Sequence, residues 1–139
     1  MRRSIERLAL SALAFMTMDC YAGDNVTAPT PLVMNPMDTG RLTVVVAGTA
    51  APSDSIRPTM SGDRSSIIMW SASRSSNWAT LLGATGPSGE WLRWNRNASG
   101  LAPGLYVDTI TVVVQGAAGS PRTVLDSMRI TSAGIGFSH

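Results

Sequence analysis

The sequence predicts an all-β domain, folded as a sandwich of antiparallel strands. Short runs rich in valine, isoleucine, threonine and aromatic residues alternate with turns rich in glycine and proline. This pattern is typical of β-sandwiches and barrels. No segment after the first 22 residues shows sustained helical periodicity. With 139 residues, 44% hydrophobic and 14% charged, the chain has the composition of one globular domain.

The clearest strands lie in the last third of the chain. Leu105–Gln115 has Val, Ile, Thr or Tyr at nearly every position, and Arg122–Thr131 shows the same bias more weakly. Between them, Gly116, Gly119 and Pro121 favour a turn. We therefore expect these two runs to form an antiparallel hairpin.

Earlier strands are predicted from shorter runs of the same kind, each bounded by glycine, proline or polar residues. In chain order, the predicted strands are Leu32–Asn35 (a short edge strand), Arg41–Ala47, a short strand near Ser55–Met60, Ser66–Ala72, Trp78–Leu82 and Glu90–Asn95. Gly86–Gly89 is predicted to be a turn.

Composition also suggests the domain boundaries. Residues 1–22 are predicted to be a signal peptide or membrane anchor, and residues 23–40 a polar, proline-containing linker. Residues 41–131 form the predicted sandwich, and residues 132–139 form a loose tail.

The N-terminal segment has the layout of a secretory signal peptide. Met1–Arg7 is basic, Leu8–Met18 is apolar, and small residues stand at Cys20 and Ala22. The apolar core of 11 residues is shorter than the ~18 needed to span a membrane. Three fates stay open: cleavage after Ala22, acylation of Cys20, or retention as an interfacial membrane anchor. In each case the folded part is expected outside the cytoplasm, as a periplasmic or secreted protein.

Cys20 is the only cysteine. No disulfide and no cysteine-based metal site can therefore form within one chain. The domain is expected to depend on its hydrophobic core for stability.

A set of tryptophan, glycine and aliphatic positions resembles a known family. In order, these are Trp70-Ser71-Ala72, Asn77-Trp78, Gly86–Gly89, the stretch Trp94–Tyr106 and Asp108–Val112. Their order resembles that of the BACON domains, which are bacterial immunoglobulin-like sandwiches, and the resemblance covers about Leu42 to Ile130. It implies a seven-stranded immunoglobulin-like sandwich without enzymatic activity, and the family name proposes carbohydrate binding. BACON domains usually occur among catalytic or adhesive domains, whereas a single module is predicted here.

The sequence offers little chemistry for catalysis. His139, the only histidine, is the last residue, and there is no lysine. A nucleophile–histidine arrangement needs a positioned imidazole, which a chain terminus supplies poorly. Glu90 is the only glutamate after the N-terminal segment, although glycosidases need two facing carboxyl groups. We expect no enzymatic activity, no cofactor and no metal. The net charge of +2, with scattered arginines, also argues against nucleic-acid binding.

The tryptophans are the best candidates for binding. Trp70, Trp78 and Trp94 match positions where the resemblance implies core aromatics. Because side chains alternate across a strand, Trp91 and Trp94 cannot both face inward in one regular strand. We therefore predict that Trp91 and Arg93 form an exposed contact surface. The alternative is a bulge that turns Trp91 into the core.

Two aspartates fall on inward-facing positions of the predicted hairpin. Asp108 shares a face with the aliphatic residues of its strand, and so does Asp126. Because buried carboxylates are costly unless they are paired, we expect both at the wet rim of the sandwich. There they would cap backbone groups or pair with an arginine such as Arg96 or Arg122.

These observations favour a non-catalytic, extracytoplasmic structural or docking subunit of a membrane-associated protein assembly. Protein partners are expected, and residues 1–22 could supply contact with the membrane. The alternative is a carbohydrate-binding protein that uses exposed tryptophans. The orientation of the aromatic side chains distinguishes the two, because several coplanar exposed rings would favour sugar and one apolar patch would favour a protein.

Overall fold

The computed structural model describes residues 28–62 and 67–134. These residues form ten strands and no helix, so the described part of the chain contains no helix that could cross a membrane. The strands are β1 (Val33–Met34), β2 (Gly40–Val46), β3 (Asp54–Ile56), β4 (Met60–Ser61), β5 (Met69–Arg74), β6 (Ala79–Leu82), β7 (Thr85–Pro87), β8 (Leu92–Arg96), β9 (Gly104–Val113) and β10 (Arg122–Thr131).

Two sheets pack face to face as a β-sandwich. One has five strands in the order β2-β10-β9-β5-β7, and the other has three in the order β3-β8-β6. β1 and β4 form a separate short pair. Alternate residues of both sheets point into one shared core, as the period-2 geometry of strands requires. The all-β prediction is confirmed.

The predicted hairpin is confirmed as β9 and β10. The two strands pair antiparallel, with Arg122 opposite Val112 and Ile130 opposite Gly104. β10 has the predicted bounds, and β9 begins one residue early and ends at Val113.

The sheet is not antiparallel throughout, which corrects the prediction. β2 pairs with β10 in parallel, with Leu125 opposite Gly40 and Thr131 opposite Val46. After β2 the chain crosses to the other sheet at β3 instead of turning back in a hairpin. The first long strand therefore lies beside the last one and runs in the same direction.

The predicted linker is also revised. Within residues 28–40, Val33–Met34 pairs with Met60–Ser61, and the Met34 side chain is fully buried. The Met34 N–H donates to the Ala118 carbonyl at 2.9 Å. Residues 33–40 therefore belong to the folded domain, because Met34 contributes to its core. The predicted signal or anchor segment, residues 1–22, lies outside the described residues.

The first two residues of the predicted turn at Gly86–Gly89 belong instead to strand β7. Gly86 and Pro87 pair with Trp70 and Met69 across β5 and β7. The Trp70 indole N–H donates to the Pro87 carbonyl at 2.9 Å. A Cβ on Gly86 would lie 2.5 Å from the Trp70 ring, so glycine is needed here for close packing on the indole.

Gly86→Ala is expected to destabilise the domain by about 1–3 kcal/mol, because the added methyl must displace the buried Trp70 ring. Chemical denaturation of both proteins measures the difference. Gly40→Ala is the matched control, because nothing lies within 4 Å of its added Cβ. Equal stability losses for the two variants would contradict this account of the packing.

Candidate functional site

Trp91 and Arg93 both lie on the outer face of the three-stranded sheet. Trp91 immediately precedes β8, and 45% of its surface is exposed. Within β8, Leu92 and Trp94 are buried while Arg93 is exposed. The strand alternates as expected, and no bulge turns Trp91 inward. The contact role of the two residues stays a prediction.

Arg57 joins Trp91 on this face. Its guanidinium carbon lies 5.9 Å from the centroid of the Trp91 ring, within cation–π range. The Arg57 Nε–H donates to the Gly89 carbonyl at 2.6 Å, which holds the guanidinium near the ring. Arg57 follows Ile56, which pairs with Leu92, so the strand register brings Arg57 opposite Trp91. Sequence reasoning missed Arg57 because the pairing of β3 with β8 is not visible in the sequence.

A groove of about 300 Å³ opens beside the Trp91 ring. Its lining consists of Pro36, Met37, Asp38, Arg41, Ile56, Arg57 and Trp91. Ile56 is buried and Met37 is half-buried, so apolar surface lies in the groove. At the rim, the Arg41 Nη2 and Asp38 Oδ2 atoms form an ion pair at 2.9 Å.

Arg93 extends the same face toward β6. Its partners across the sheet are Ser55 on β3 and Leu82 on β6. Neither Arg93 nor Arg57 forms an ion pair within the described residues. We call Trp91, Arg57 and Arg93 the tryptophan surface: one half-exposed aromatic ring with two cations that have no acidic partner in the described part of the chain.

The other tryptophans belong to the core, as predicted. Trp70, Trp78 and Trp94 are all less than a tenth exposed. Trp91 is therefore the exposed member of the set, and the structure presents no row of exposed tryptophan rings.

Asp126 lies in the core, not at a wet rim, which corrects the prediction. Its carboxylate accepts hydrogen bonds from the Trp94 indole N–H at 2.8 Å and the Arg96 Nε–H at 2.9 Å. Arg96 Nη2 also donates to it. The predicted pairing with Arg96 is thus confirmed, and Arg122 is not the partner. The geometry keeps the buried charge compensated.

All three guanidinium nitrogens of Arg96 donate hydrogen bonds. In addition to Asp126, it donates to the Asp54 carboxylate at 2.8 Å and to the Pro52 carbonyl at 3.0 Å. Asp54 also accepts from the backbone N–H of Ser55 at 2.8 Å. Burial would raise the pKa of Asp54, but the hydrogen bonds from Arg96 and Ser55 outweigh it and hold that pKa below its usual value.

Asp108 is buried directly opposite Asp126 in the β9–β10 pair. It accepts hydrogen bonds from the backbone N–H groups of Ser75 and Ser76, at 2.9 and 2.8 Å. The Ser75 hydroxyl donates to the same oxygen at 2.8 Å. The predicted capping role is confirmed, although the site is buried. Burial would raise the pKa of Asp108, but the hydrogen bonds from Ser76 and Ser75 lower it below its usual value.

Asp108 and Asp126 do not reach solvent, whereas the Asp54 side chain is 30% exposed. Arg96 connects β8 to β10 through Asp126 and to β3 through Asp54. The network fixes which face of β8 points inward, and it thereby places Trp91 and Arg93 outside. In residues 28–62 and 67–134, no group of three acidic, histidine or cysteine side chains could hold a metal ion.

Comparison with known proteins gives only distant likeness. No protein-family model and no curated protein matches the sequence. Among solved structures, the chain is similar to a Bacteroides ovatus GH5 xyloglucanase in complex with a XXXG heptasaccharide, with a TM-score of 0.48 and 16% identity over 68% of this chain. The chain spans 18% of the length of that protein. It is also similar to the PKD domain (329-428) from human KIAA0319, with a TM-score of 0.40, 14% identity, and coverage of 85% of this chain and 97% of that one.

Arg96→Met is expected to destabilise the domain by about 3–5 kcal/mol, because it leaves Asp126 charged and buried without its cation. Adding Asp126→Leu should recover much of the loss, since the buried charge is then removed. Denaturant unfolding of the wild type, the single variant and the double variant measures this coupling. A double variant no more stable than the single variant would contradict the charge argument.

Acidification is expected to destabilise the domain. The pKa values of Asp54 and Asp108 are lowered in the folded state, against about 3.9 for an unfolded aspartate. Their stabilisation is therefore fully present above about pH 5 and is lost as pH falls through the folded pKa values. Thermal melts from pH 7 to pH 2 should show this loss. In Asp108→Asn the loss should be smaller, and an unchanged pH profile in that variant would contradict the assignment.

Proposed function

We propose that this chain is a non-catalytic, immunoglobulin-like, BACON-like module that docks a protein partner in a membrane-associated, extracytoplasmic assembly. The observation that carries the proposal is the tryptophan surface. Trp91 lies half-exposed beside a groove, with Arg57 near its ring and Arg93 on the same face. Tryptophan and arginine are the side chains that most often anchor protein interfaces.

The chemistry of the surface defines the partner. Arg57 and Arg93 have no acidic partner within the described residues, so a partner can supply carboxylates to them. The groove beside Trp91 offers apolar surface to an aliphatic or aromatic side chain. The fitting partner is therefore a protein segment that combines an apolar anchor with acidic residues on either side of it.

The burial of two aspartates, Asp108 and Asp126, supports the non-catalytic part of the proposal. Asp108 and Asp126 have no exposed surface; Asp126 accepts from Arg96 and Trp94, and Oδ1 of Asp108 accepts from Ser75 and Ser76. Neither can meet a substrate. His139 lies outside the described residues, so it enters no argument from the structure.

Carbohydrate binding is the second candidate, and the groove is the observation that favours it. A sugar ring could stack on Trp91 while its hydroxyls meet Asp38 and Arg41 at the rim. Arg57 beside the ring and the burial of the other three tryptophans reduce the aromatic area open to a sugar. These facts favour the protein partner.

Site-specific photo-crosslinking in the native host tests the docking proposal. A photoreactive residue at position 93 should crosslink to one envelope protein, whereas the same residue at position 113, exposed on the opposite sheet, should not. Trp91→Ala should weaken that complex by about 30-fold or more, as expected for an anchor worth about 2 kcal/mol. Val113→Ala is the matched control and should have no effect.

The salt dependence of the complex and a glycan-binding assay distinguish the docking function from carbohydrate binding. Raising the ionic strength should weaken the protein complex, because Arg57 and Arg93 pair with exposed carboxylates. If the protein instead binds glycans in a manner lost in Trp91→Ala, and no crosslink forms at position 93, the docking proposal is wrong and the sugar candidate replaces it.

A further inference from the structure

β2 forms one edge of the five-stranded sheet, and among the strands of residues 28–62 and 67–134 it pairs with β10 alone. It is a seven-residue strand, Gly-Arg-Leu-Thr-Val-Val-Val, without proline or lysine. Soluble proteins usually protect such edges with charged residues, proline, bulges or covering segments. Here the one charged residue of β2, Arg41, lies on the inner side of the strand and pairs with Asp38, while the outward side chains are leucine and valine.

The backbone of β2 alternates between its neighbour and the free edge. On the inner side, the Thr39 carbonyl accepts from Leu125 and the Ala47 N–H donates to Thr131. Because backbone direction has a period of two residues, the N–H and C=O groups of Leu42 and Val44 point away from β10. No turn or loop hydrogen bond of the described residues uses them, and only the Val46 carbonyl is engaged, by Thr49.

The same residues carry the most exposed side chains of the strand. Leu42 is 70% exposed, Val44 is 60% exposed and Val46 is 45% exposed. All three point to the outer face of the sheet, and the alternate residue Val45 is buried in the core. The free edge therefore combines unpaired backbone groups with an aliphatic stripe.

We infer that two copies of this chain pair through their β2 edges, antiparallel, to form one continuous sheet. A two-fold axis perpendicular to the sheet places Val44 opposite Val44 of the second copy and Leu42 opposite Val46. The free backbone groups of Val44 then face each other across the axis. The aliphatic stripes of both copies join on one face.

The backbone of β2 is self-complementary in this register, because the free N–H and C=O groups of Val44 in one copy face those of Val44 in the other. Arg41 lies opposite Ala47 of the other copy, so the two Arg41 side chains do not meet. Arg129 is the neighbour of Val44 on β10 and has no ion pair within the described residues. Edge pairing keeps the two Arg129 residues three strand spacings apart, about 14 Å, beyond the ~8–10 Å screening length. Stacking the outer faces about a nearby two-fold axis would bring them closer together.

Cysteine crosslinking tests the register in the full-length chain, recovered from its own host with Cys20→Ser as background. Val44→Cys should form a disulfide-linked dimer under mild oxidation. Paired Cα atoms at such a position lie about 5.5 Å apart, within the ~4.4–6.8 Å range of disulfides. Leu42→Cys and Val46→Cys should each form no disulfide-linked dimer alone, because identical positions lie about 14 Å apart. A mixture of these two variants should crosslink.

A backbone variant tests the edge itself. Val44→Pro removes the N–H that points to the free edge and leaves the pairing with β10 intact. Sedimentation equilibrium should show a dimer for the wild type and about tenfold weaker association for the proline variant, since each copy loses a hydrogen bond. Val44→Thr is the matched control, because it keeps the N–H, and it should remain dimeric.

Two outcomes would overturn the inference. One is a protein that sediments as a monomer at all concentrations tested. The other is crosslinking at Val44→Cys no stronger than at Val113→Cys, a control exposed on the same face but distant from β2. Trp91→Ala lies on the other sheet and should leave the dimer unchanged. A failure of the dimer is thereby distinguished from a failure of the proposed docking function.

Discussion

The buried ion pair between Arg96 and Asp126 is the interaction on which the arrangement of the two sheets depends. A carboxylate without exposed surface is strongly unfavourable unless its charge is compensated. Arg96 provides that compensation from the opposite sheet, the Trp94 indole adds a third donor, and Asp54 occupies the remaining side of the guanidinium. Three strands from two sheets therefore meet at one polar cluster within a largely apolar core. The cluster joins β8, β10 and β3, so the loss of one partner would leave the others buried without compensation.

The surface of the molecule follows from this internal alignment. Trp94 and Arg96 point inward from β8. Because side chains alternate along a strand, Arg93 points to solvent, and so does Trp91, which precedes the strand. The pairing of β3 with β8 then brings Arg57 to the Trp91 ring. The groove beside Trp91 is lined in part by Arg41 of β2, so the tryptophan surface lies next to the start of the β2 edge.

The local pattern of the chain predicted much of this accurately. The bounds of β10, the hairpin with β9, the burial of Trp70, Trp78 and Trp94, and the exposure of Trp91 all follow from alternation and β-propensity over a few residues. The short strand predicted at Leu32–Asn35 is present as β1, but its assignment to a linker missed the buried Met34 side chain, because prolines on either side conceal its role in the core. The turn prediction failed at Gly86, where glycine serves close packing against an indole and not a change of chain direction.

Strand periodicity alone was sufficient to place Asp108 and Asp126 on the inward face, and the high cost of buried charge was sufficient to require partners for them. The hydrogen-bond partners of the two aspartates lie about 30 positions away in the chain, so tertiary contacts decide which residues they are. The parallel pairing of β2 with β10, the free edge it leaves, and the approach of Arg57 to Trp91 also depended on the assembled sheets. A strand's own residues encode which side chains alternate, but its neighbours and their register are set by the packing of the whole core. For that reason the strands and the exposure of Trp91 and Arg93 could be predicted from the chain, whereas the position of Arg57 and the free edge of β2 could be recognised only in the folded domain.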